Sequence, residues 1–290
     1  MENGRLRRSV KRLHIVSARL VEGLLAGNYR SVFRGPGIEF DQVREYVEED
    51  DARLIDWNVS SRFGSPFTKV FRDERELVLF IMVDLSASMS APEAERNRRD
   101  TALVISSLLA LAAIQNNDKV GGAVFTDRIE RWVPPKKGRK HALRLMKSLA
   151  DCAPAGRGSD LALALRASGE ALKRRGIVFI LSDFKTGAYL KELSYLSRRH
   201  DVIAVRIHDP SDGEYPESGL VRLQDPETLE VIVGDGRSTR YKRAYEEHAR
   251  SARRDWIREC ARCGASMLEI STEDDPGTRL VHFFARRSRP

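Results

Sequence analysis

Residues 77–90, LVLFIMVDLSASMS, decide the fold of this chain. The run from Leu77 to Val83 is apolar without a break, which is typical of a strand buried on both faces, as in a parallel sheet. The run stops at Asp84, and Ser86 and Ser88 follow it. These three side chains are therefore expected in the loop at the carboxyl end of a strand, where open α/β sheets place their ligand sites.

Asp84, Ser86 and Ser88 offer a carboxylate and two hydroxyls with little bulk between them. Hard oxygen ligands of this kind suit Mg²⁺, which takes oxygens at about 2.0–2.1 Å in an octahedron and keeps some of its water. The alternative is that the aspartate and the serines serve only as turn and helix N-cap residues. The spacing alone leaves both interpretations open.

From Leu77 onward, apolar strands alternate with helical patterns, which predicts βαβ units and a mainly parallel sheet with helices on both faces. The predicted strands are 77–83, 120–125, 129–133, 177–181, 202–207 and 266–270, and the predicted helices are 97–115, 139–150, 160–174, 188–199, 238–263 and 276–284. Residues 209–238 interrupt the alternation and are expected to carry an inserted hairpin. The sequence thus predicts a doubly wound α/β domain over residues 77–290.

Residues 1–76 are expected to form a separate N-terminal part. Residues 5–26 place apolar side chains at helical spacing opposite a basic face, which fits a membrane- or partner-bound helix as well as one packed on its own domain. Residues 31–76 interleave acidic, basic and aromatic side chains. One interpretation of this small mixed-charge unit is a docking surface, with Arg44, Asp51 and Arg53 as candidate partner-binding residues. The other is a structural network of ion pairs, which would join Arg44, Arg53 and Arg62 to Asp50, Asp51 and Asp56.

Composition limits the classes of protein to which the chain can belong. The 290 residues are 41% hydrophobic, enough for a sizeable core, and the net charge of +8 permits anionic partners such as nucleic acid. The three cysteines make no disulfide framework, and Cys260 and Cys263 lie on the apolar stripe of a predicted helix, which favours core packing over redox or metal chemistry. The N terminus lacks the apolar core of a signal peptide, and the longest apolar helical segment, 102–114, is too short to span a bilayer. A cytoplasmic protein without a membrane span is therefore predicted.

Two further loops are expected at the same edge of the sheet as Asp84. Ser159 lies in the loop 156–160, where it offers a hydroxyl or serves only as a cap, and Asp183 ends an equally apolar strand. Together with Ser86 and Ser88, these residues would give two carboxylates and three hydroxyls. Carboxylates that converge in one crevice repel each other, so a cation or a shared proton is expected between them.

This set of side chains resembles the metal-ion-dependent adhesion site of von Willebrand factor A domains. The pattern of that site is Asp-x-Ser-x-Ser, then a Thr in a second loop and an Asp in a third. Asp84, Ser86, Ser88 and Asp183 match it, and Ser159 departs from the Thr but keeps the hydroxyl. The resemblance implies that these five residues hold Mg²⁺ or another divalent cation, with a coordination position open to an acidic group of a partner.

A longer series of motifs is similar to the bacterial "domain of unknown function 58" family, from about Arg19 to Phe284. In order, the motifs are RGPGIEFDQVREYVEEDDARLIDWNVSSR, KVFRDERE, VDLSASM, ILSDF and RRHDVIAVRIHDP. Glu49 is a departure, because family members usually have Gly before the aspartate pair. The resemblance implies a von Willebrand factor A-like fold and an association with MoxR-type AAA+ ATPases. Many members also carry N-terminal membrane spans, which are not expected in this chain.

The function expected from these observations is that of a metal-dependent adaptor rather than an enzyme. It would work with a MoxR-type ATPase in assembling or activating client proteins. A metal-dependent phosphohydrolase using Asp84 is disfavoured, because the motif lacks a second Asp two positions on and no His is evidently placed as a general base. Nucleic-acid binding through the basic surface is the other alternative and would show a salt-dependent affinity. ATP binding through a P-loop is not expected, because the sequence has none.

Overall fold

The computed structural model describes residues 39–48, 50–72, 77–91, 96–216 and 219–287. The described residues fall into two compact units, one within 39–72 and the other within 77–287. The predicted basic helix at 5–26 and Glu49 lie outside the described residues.

The smaller unit pairs two antiparallel strands, β1 (Glu39–Glu45) and β2 (Phe67–Arg72). A short 3-10 turn (Ala52–Leu54) and helix α1 (Trp57–Phe63) lie between them in the chain. Asp56 begins α1 by accepting hydrogen bonds from the backbone N–H groups of the next turn, and Gly64, at φ 74°, ends it. Glycine suits that position because a side chain is strained in the left-handed region.

Ion pairs lie at the surface of the smaller unit. Two of the expected pairs are present, with N–O distances of 2.6 Å for Arg44–Asp50 and 3.2 Å for Arg53–Asp51. Asp56 pairs with Lys69 at 3.5 Å and not with Arg62, so that part of the predicted network is wrong. The reason is that the backbone N–H of Asp56 donates to the carbonyl of Phe67 at 2.8 Å, which holds Asp56 beside strand β2.

The larger unit is built on a six-stranded sheet in which four of the five pairs of neighbouring strands are parallel. The strands of this unit are β3 (Val78–Asp84), β4 (Lys119–Phe125), β5 (Ile129–Lys136), β6 (Ile177–Ser182), β7 (Asp201–His208), β8 (Leu220–Gln224), β9 (Val231–Asp235) and β10 (Ser266–Ser271). Six of them form the sheet in the order β10-β7-β6-β3-β4-β5, and only β5 runs antiparallel to its neighbour. Strands β8 and β9 pair separately as a hairpin, after a 3-10 turn at Pro210–Gly213.

Helices cover both faces of the sheet. They are α2 (Ala87–Ser90), α3 (Arg98–Gln115), α4 (Arg139–Ala150), α5 (Leu161–Ala171), α6 (Leu190–Arg199), α7 (Thr239–Arg262) and α8 (Pro276–Arg287). Helices α5, α6 and α7 contribute to the core on one face, and α3, α4 and α8 pack on the other. The predicted doubly wound, mainly parallel α/β architecture is confirmed. Among the helices described, none combines the length and the apolar character needed to cross a membrane.

Strand β3 lies in the middle of the sheet, between β6 and β4, and all seven of its residues are buried. Phe80 and Met82 belong to the core beneath α5, α6 and α7, and the residues between them face the other helical layer. Burial on both faces is the physical reason for the unbroken apolar run. The strand ends at Asp84, which therefore lies at the carboxyl edge of the sheet, together with the end of β6.

Cys260 and Cys263 are packing residues in the described structure. Cys260 is fully buried in the core of the α7 face, where burial raises the pKa of its thiol to about 12. The thiol of Cys263 donates to the backbone carbonyl of Leu190 at 3.4 Å. A thiol with a raised pKa is a poor metal ligand and a poor nucleophile, in agreement with the expected core role.

Strand β5 covers one edge of the sheet and carries two successive prolines, Pro134 and Pro135. The register of its pairing with β4 shifts between Val120 and Gly122. At this irregularity the two backbones approach closely at Gly121, where an added Cβ would lie 2.6 Å from the nitrogen of Pro135. Glycine is required here because its missing side chain makes room for the neighbouring strand.

The variant Gly121→Ala is expected to lower the free energy of unfolding by about 1–3 kcal/mol, the usual cost of forcing extra atoms into a packed interior. The added methyl group would meet backbone atoms of β5 within 3 Å, so one strand has to move. Urea denaturation gives the measurement, and Gly213→Ala is the matched control, because its Cβ would have open space. An equal effect in the two variants would contradict the prediction.

Candidate metal centre

Loops at the carboxyl edge of the sheet bring the predicted ligands together. Ser86 and Ser88 follow β3, Ser159 precedes α5, and Asp183 follows β6. The hydroxyl of Ser159 donates to Oδ2 of Asp84 at 2.9 Å, which joins the second loop to the first. All five predicted residues therefore lie in one region of the molecule.

Asp84 is held by hydrogen bonds to both of its carboxylate oxygens. Its Oδ1 accepts from the backbone N–H of Ser86 at 2.8 Å, and its Oδ2 accepts from the hydroxyls of Ser159 and Ser182 at 2.9 and 2.7 Å. Ser182 was not among the predicted residues, although it is the last residue of β6. Its hydroxyl also accepts from the backbone N–H of Phe184 at 3.0 Å. The orientation of Asp84 is fixed by this arrangement.

Burial places an electrostatic cost on Asp84. The side chain is fully buried, and burial together with the charge of Asp183 raises the pKa of its carboxyl to about 6. Hydrogen bonds from Ser86 and Ser182 lower the pKa and offset part of this effect. Two buried carboxylates in one region create a negative potential that a cation would relieve.

Asp183 has a carboxylate oxygen that no described group satisfies. Its Oδ1 accepts from the backbone N–H of Lys185 at 3.2 Å, whereas its buried Oδ2 accepts no hydrogen bond from the described residues. The following loop is strained, because Phe184 and Ala188 adopt positive φ values of 56° and 42°. A buried anionic oxygen without a donor is costly unless a positive charge faces it.

The hydroxyls of Ser86 and Ser88 are buried and lie 3.1 Å apart. Their loop is held by Arg98, whose guanidinium donates to the carbonyl oxygens of Ser88, at 2.9 Å, and of Ala91. The same guanidinium pairs with Asp212, which also accepts from Lys185 at 2.7 Å. Arg98 thus ties the first loop to the 3-10 turn after β7, and its burial was not predicted from the sequence.

The second loop is fastened to the edge strand. Glu130 of β5 accepts from the backbone N–H groups of Ala155 and Gly156 at 3.0 and 2.8 Å, and from the hydroxyl of Thr126 at 2.7 Å. An added Cβ at Gly156 would lie 2.3 Å from that hydroxyl oxygen, which explains the glycine. These contacts position the loop that carries Ser159.

Glu227, in the turn between β8 and β9, lies close to the same region, and sequence reasoning missed it. Burial raises the pKa of its carboxyl, the hydroxyls of Ser88 and Ser86 lower it, and the charge of Asp183 raises it. The turn that carries Glu227 also contacts the second loop, because the guanidinium of Arg157 donates to the carbonyl of Pro226 at 3.2 Å. The sequence feature that could have identified Glu227 is its position as an acidic residue between the two predicted strands of the hairpin.

The donor set fits a divalent cation that prefers oxygen. Within the described parts of the chain, no three His, Cys, Asp or Glu side chains are grouped so as to hold a metal ion by themselves. A cation at this site would therefore depend on the serine hydroxyls as well as on Asp84 and Asp183. Carboxylate and hydroxyl oxygens with remaining water ligands suit Mg²⁺ better than metals that select nitrogen or sulfur.

The predicted partner-binding residues belong to the smaller unit. Arg44, Asp51 and Arg53 are exposed there, apart from the ion pairs already described. Their role in binding a partner stays a prediction.

Comparison with known proteins relates the chain to a family. Residues 42–255 match the family model described as "Protein of unknown function DUF58". An uncharacterised protein from Mycobacterium tuberculosis (strain ATCC 25618 / H37Rv) is 30% identical over 295 residues, which cover 100% of this chain and 92% of the relative. An uncharacterised protein from Mycobacterium avium is 33% identical over 163 residues, covering 54% of this chain and 94% of the relative.

Solved structures resemble the chain at low sequence identity. An aerotolerance-related membrane protein from Bacteroides fragilis NCTC 9343 is 17% identical, with a TM-score of 0.51 over 74% of this chain and 100% of the other. A von Willebrand factor type A protein from Catenulispora acidiphila is 13% identical, with a TM-score of 0.42 over 77% of this chain and 44% of the other. The fold is von Willebrand factor A-like, as the sequence predicts.

Proposed function

Because the chain belongs to the DUF58 family and has a von Willebrand factor A-like fold, we propose that it is a protein-binding adaptor whose contact with a partner depends on a divalent cation. The observation that carries the proposal is the pair of buried carboxylates, Asp84 and Asp183, with one oxygen of Asp183 lacking any described donor. A bound cation would compensate both charges.

Asp84, Ser86, Ser88, Ser159 and Asp183 are the residues that would hold Mg²⁺ or another divalent cation. Asp84 already accepts three hydrogen bonds, so its role includes fixing the loops as well as supplying charge. The bound cation would supply a positive charge at the edge of the sheet, and hydroxyl ligands would leave much of that charge unneutralised. An acidic side chain of another protein would then make a directional, charge-assisted contact.

The partner that the family resemblance implies is a MoxR-type AAA+ ATPase, with a client protein assembled or activated by the pair. The exposed residues Arg44, Asp51 and Arg53 would supply a second contact outside the metal site. We propose no enzymatic turnover, because the oxygens of Asp84 are engaged by the protein itself and are poorly placed to attack a substrate.

Magnesium is expected to stabilise the protein and to support capture of the ATPase. If the dissociation constant is about 0.1 mM, then about 1 mM Mg²⁺ adds roughly 1.4 kcal/mol to the free energy of unfolding by mass action. Asp84→Ala should remove this increment, and thermal melts with Mg²⁺ or EDTA measure it. Coincident melts of the wild type in the two buffers would count against a cation site.

The partner is tested by recovering the host's MoxR-type ATPase on the tagged wild type, Asp84→Ala and Ser86→Ala/Ser88→Ala. Ser107→Ala is a matched control, because Ser107 bonds to a carbonyl of its own helix, away from the strand-end loops. Recovery should fall in the site variants and with EDTA but stay unchanged in the control. Equal recovery in all variants would exclude the metal face as the contact, and no recovery by the wild type would exclude the partner.

A further inference from the structure

The β8–β9 hairpin is tied to the candidate metal centre by its turn. The guanidinium of Arg157 donates to the carbonyl of Pro226 in the turn at 3.2 Å. The carbonyl of Arg157 accepts from the backbone N–H of Ala87 at 2.8 Å. Arg157 therefore connects the turn to the loop of Ser159 and to the loop that follows Asp84.

The turn has a defined shape that presents Glu227. The side chain of Asp225 accepts from the backbone N–H groups of Glu227 and Thr228 at 2.7 and 3.2 Å. The backbone N–H of Leu229 donates to the carbonyl of Asp225 at 2.9 Å. Leu229 adopts a positive φ of 64°. The position of Glu227 is thus determined by the turn and not left to a free loop.

The carboxylate of Glu227 is half-buried near the predicted ligands. Its Oε1 is shielded from solvent and accepts no hydrogen bond from the described residues. The hydroxyls of Ser88 and Ser86 and the charge of Asp183 are close enough to influence its ionisation. Asp183 and Glu227, which lie on two separate loops, therefore each have a buried carboxylate oxygen without a described donor.

Among the described residues, no lysine or arginine forms an ion pair with Asp183 or Glu227. Lys185 pairs with Asp212, and the Arg157 guanidinium bonds to the carbonyl of Pro226. Like charges in one region repel each other unless a cation lies between them. A divalent cation would satisfy Asp183 and Glu227 together.

We propose that Glu227 is this chain's own ligand for the cation, occupying the position that a partner's acidic group would otherwise take. The inference rests on the proposed function and deepens it, because a partner must then displace the hairpin turn in order to bind. The described carboxylates do not yet form a three-ligand set. Binding of the cation would therefore draw the side chain of Glu227 inward and hold the formed hairpin turn more firmly against the site.

The first experiment measures Mn²⁺ binding to the full chain by electron paramagnetic resonance. Glu227→Gln keeps the size of the side chain and removes its charge. It should lower the affinity for Mn²⁺ by about tenfold or more, because even the loss of a residue that hydrogen-bonds to a metal ligand has an effect of this size. Glu227→Asp keeps the charge but shortens the reach, and it should also weaken binding. Glu230→Gln is the matched control from the same turn, exposed in the structure, and should bind as the wild type does.

The second experiment measures hydrogen exchange of residues 219–235 with and without Mg²⁺. Exchange should slow on adding Mg²⁺ in the wild type and in Glu230→Gln, but not in Glu227→Gln. Circular dichroism in EDTA checks that each variant folds. This readout reports the hairpin directly and does not depend on the affinity.

The outcomes separate the inference from the proposed function. Equal Mn²⁺ affinity and equal hairpin protection in the wild type and Glu227→Gln would overturn the role of Glu227, while Mn²⁺ binding lost in Asp84→Ala would keep the cation site. No Mn²⁺ binding by the wild type would overturn both. Weaker binding and lost protection confined to the two Glu227 variants would support the inference.

Discussion

Replacing Arg98 with methionine is expected to lower the free energy of unfolding by about 3–5 kcal/mol, the usual cost of breaking a buried ion pair by removing one partner. Arg98 is only 3% exposed and donates to the carbonyls of Ser88 and Ala91 and to the carboxylate of Asp212. Methionine fills a similar volume but donates nothing. Its introduction would leave two carbonyls without this donor, and Asp212 would keep Lys185 as its remaining ion-pair partner.

Urea denaturation measures this effect, and Arg258→Met is the control. Arg258 is 67% exposed and pairs with Asp255 within one turn of α7, so its loss should cost about 0–1 kcal/mol. Similar losses in the two variants would contradict the role given to Arg98.

The pH dependence of stability gives a second check on the same ion pair. Burial alone would raise the pKa of Asp212, but the charges of Lys185 and Arg98 outweigh burial and hold it at about 2, below the ordinary 3.8. The folded protein therefore gains about 2 kcal/mol from Asp212 above pH 4, and this gain is lost as the pH falls toward 2. In Arg98→Met, the free energy of unfolding should therefore fall less than in the wild type as the pH is lowered from about 4 toward 2.

Replacing Asp84 with asparagine is expected to raise the stability of the metal-free protein by about 2–3 kcal/mol at neutral pH while abolishing the response to Mg²⁺. The folded pKa of Asp84, about 6, lies above its ordinary 3.8. The folded state therefore holds the proton more tightly, and stability falls as the pH rises from about 4 to 6 and the buried group ionises. Asparagine removes that cost.

The groups that bond to Asp84 can also form hydrogen bonds with an asparagine at this position. Its amide oxygen would accept from the backbone N–H of Ser86, and its NH₂ group would donate to the hydroxyls of Ser159 and Ser182 in place of the present bonds. Urea denaturation in EDTA at neutral pH and near pH 4 measures the gain, which should be smaller at the lower pH. Asp160→Asn is the control, since this residue caps α5 and asparagine caps equally well. If the metal-free Asp84→Asn protein is less stable than the wild type, the buried charge of Asp84 does not destabilise the folded state.

The sequence predicted the central strand and the placement of four candidate ligands at strand ends because these depend on local patterns. An apolar run on β3 can only be satisfied by burial on both faces, and parallel strands bring their carboxyl ends to one edge. The ligand positions of Asp84 and Asp183 follow from that rule. The serines in the loop after β3 follow from their spacing.

The contacts that the sequence did not reveal are those made between distant parts of the chain. Arg98 is the first residue of a helix and looks in the sequence like an exposed first-turn residue. In the structure it is buried and pairs with Asp212 from the turn after β7. Glu227 looks like a solvated turn residue, because nothing in its spacing indicates that the hairpin folds back over the strand ends. The same limit applies to Asp56, whose partner Lys69 is set by the pairing of Asp56 with β2.

The two prolines of β5 restrict how this protein can associate with others. Proline has no backbone N–H, and Pro134 and Pro135 lie in edge strand β5 at the irregularity of its pairing with β4, so this edge strand has neither a full set of donors nor a regular course. An incoming strand would find an interrupted ladder there, which disfavours stacking of copies into fibrils and capture of extended peptides at that edge. Recognition is thereby directed away from the flank of the sheet and toward its loop-bearing end.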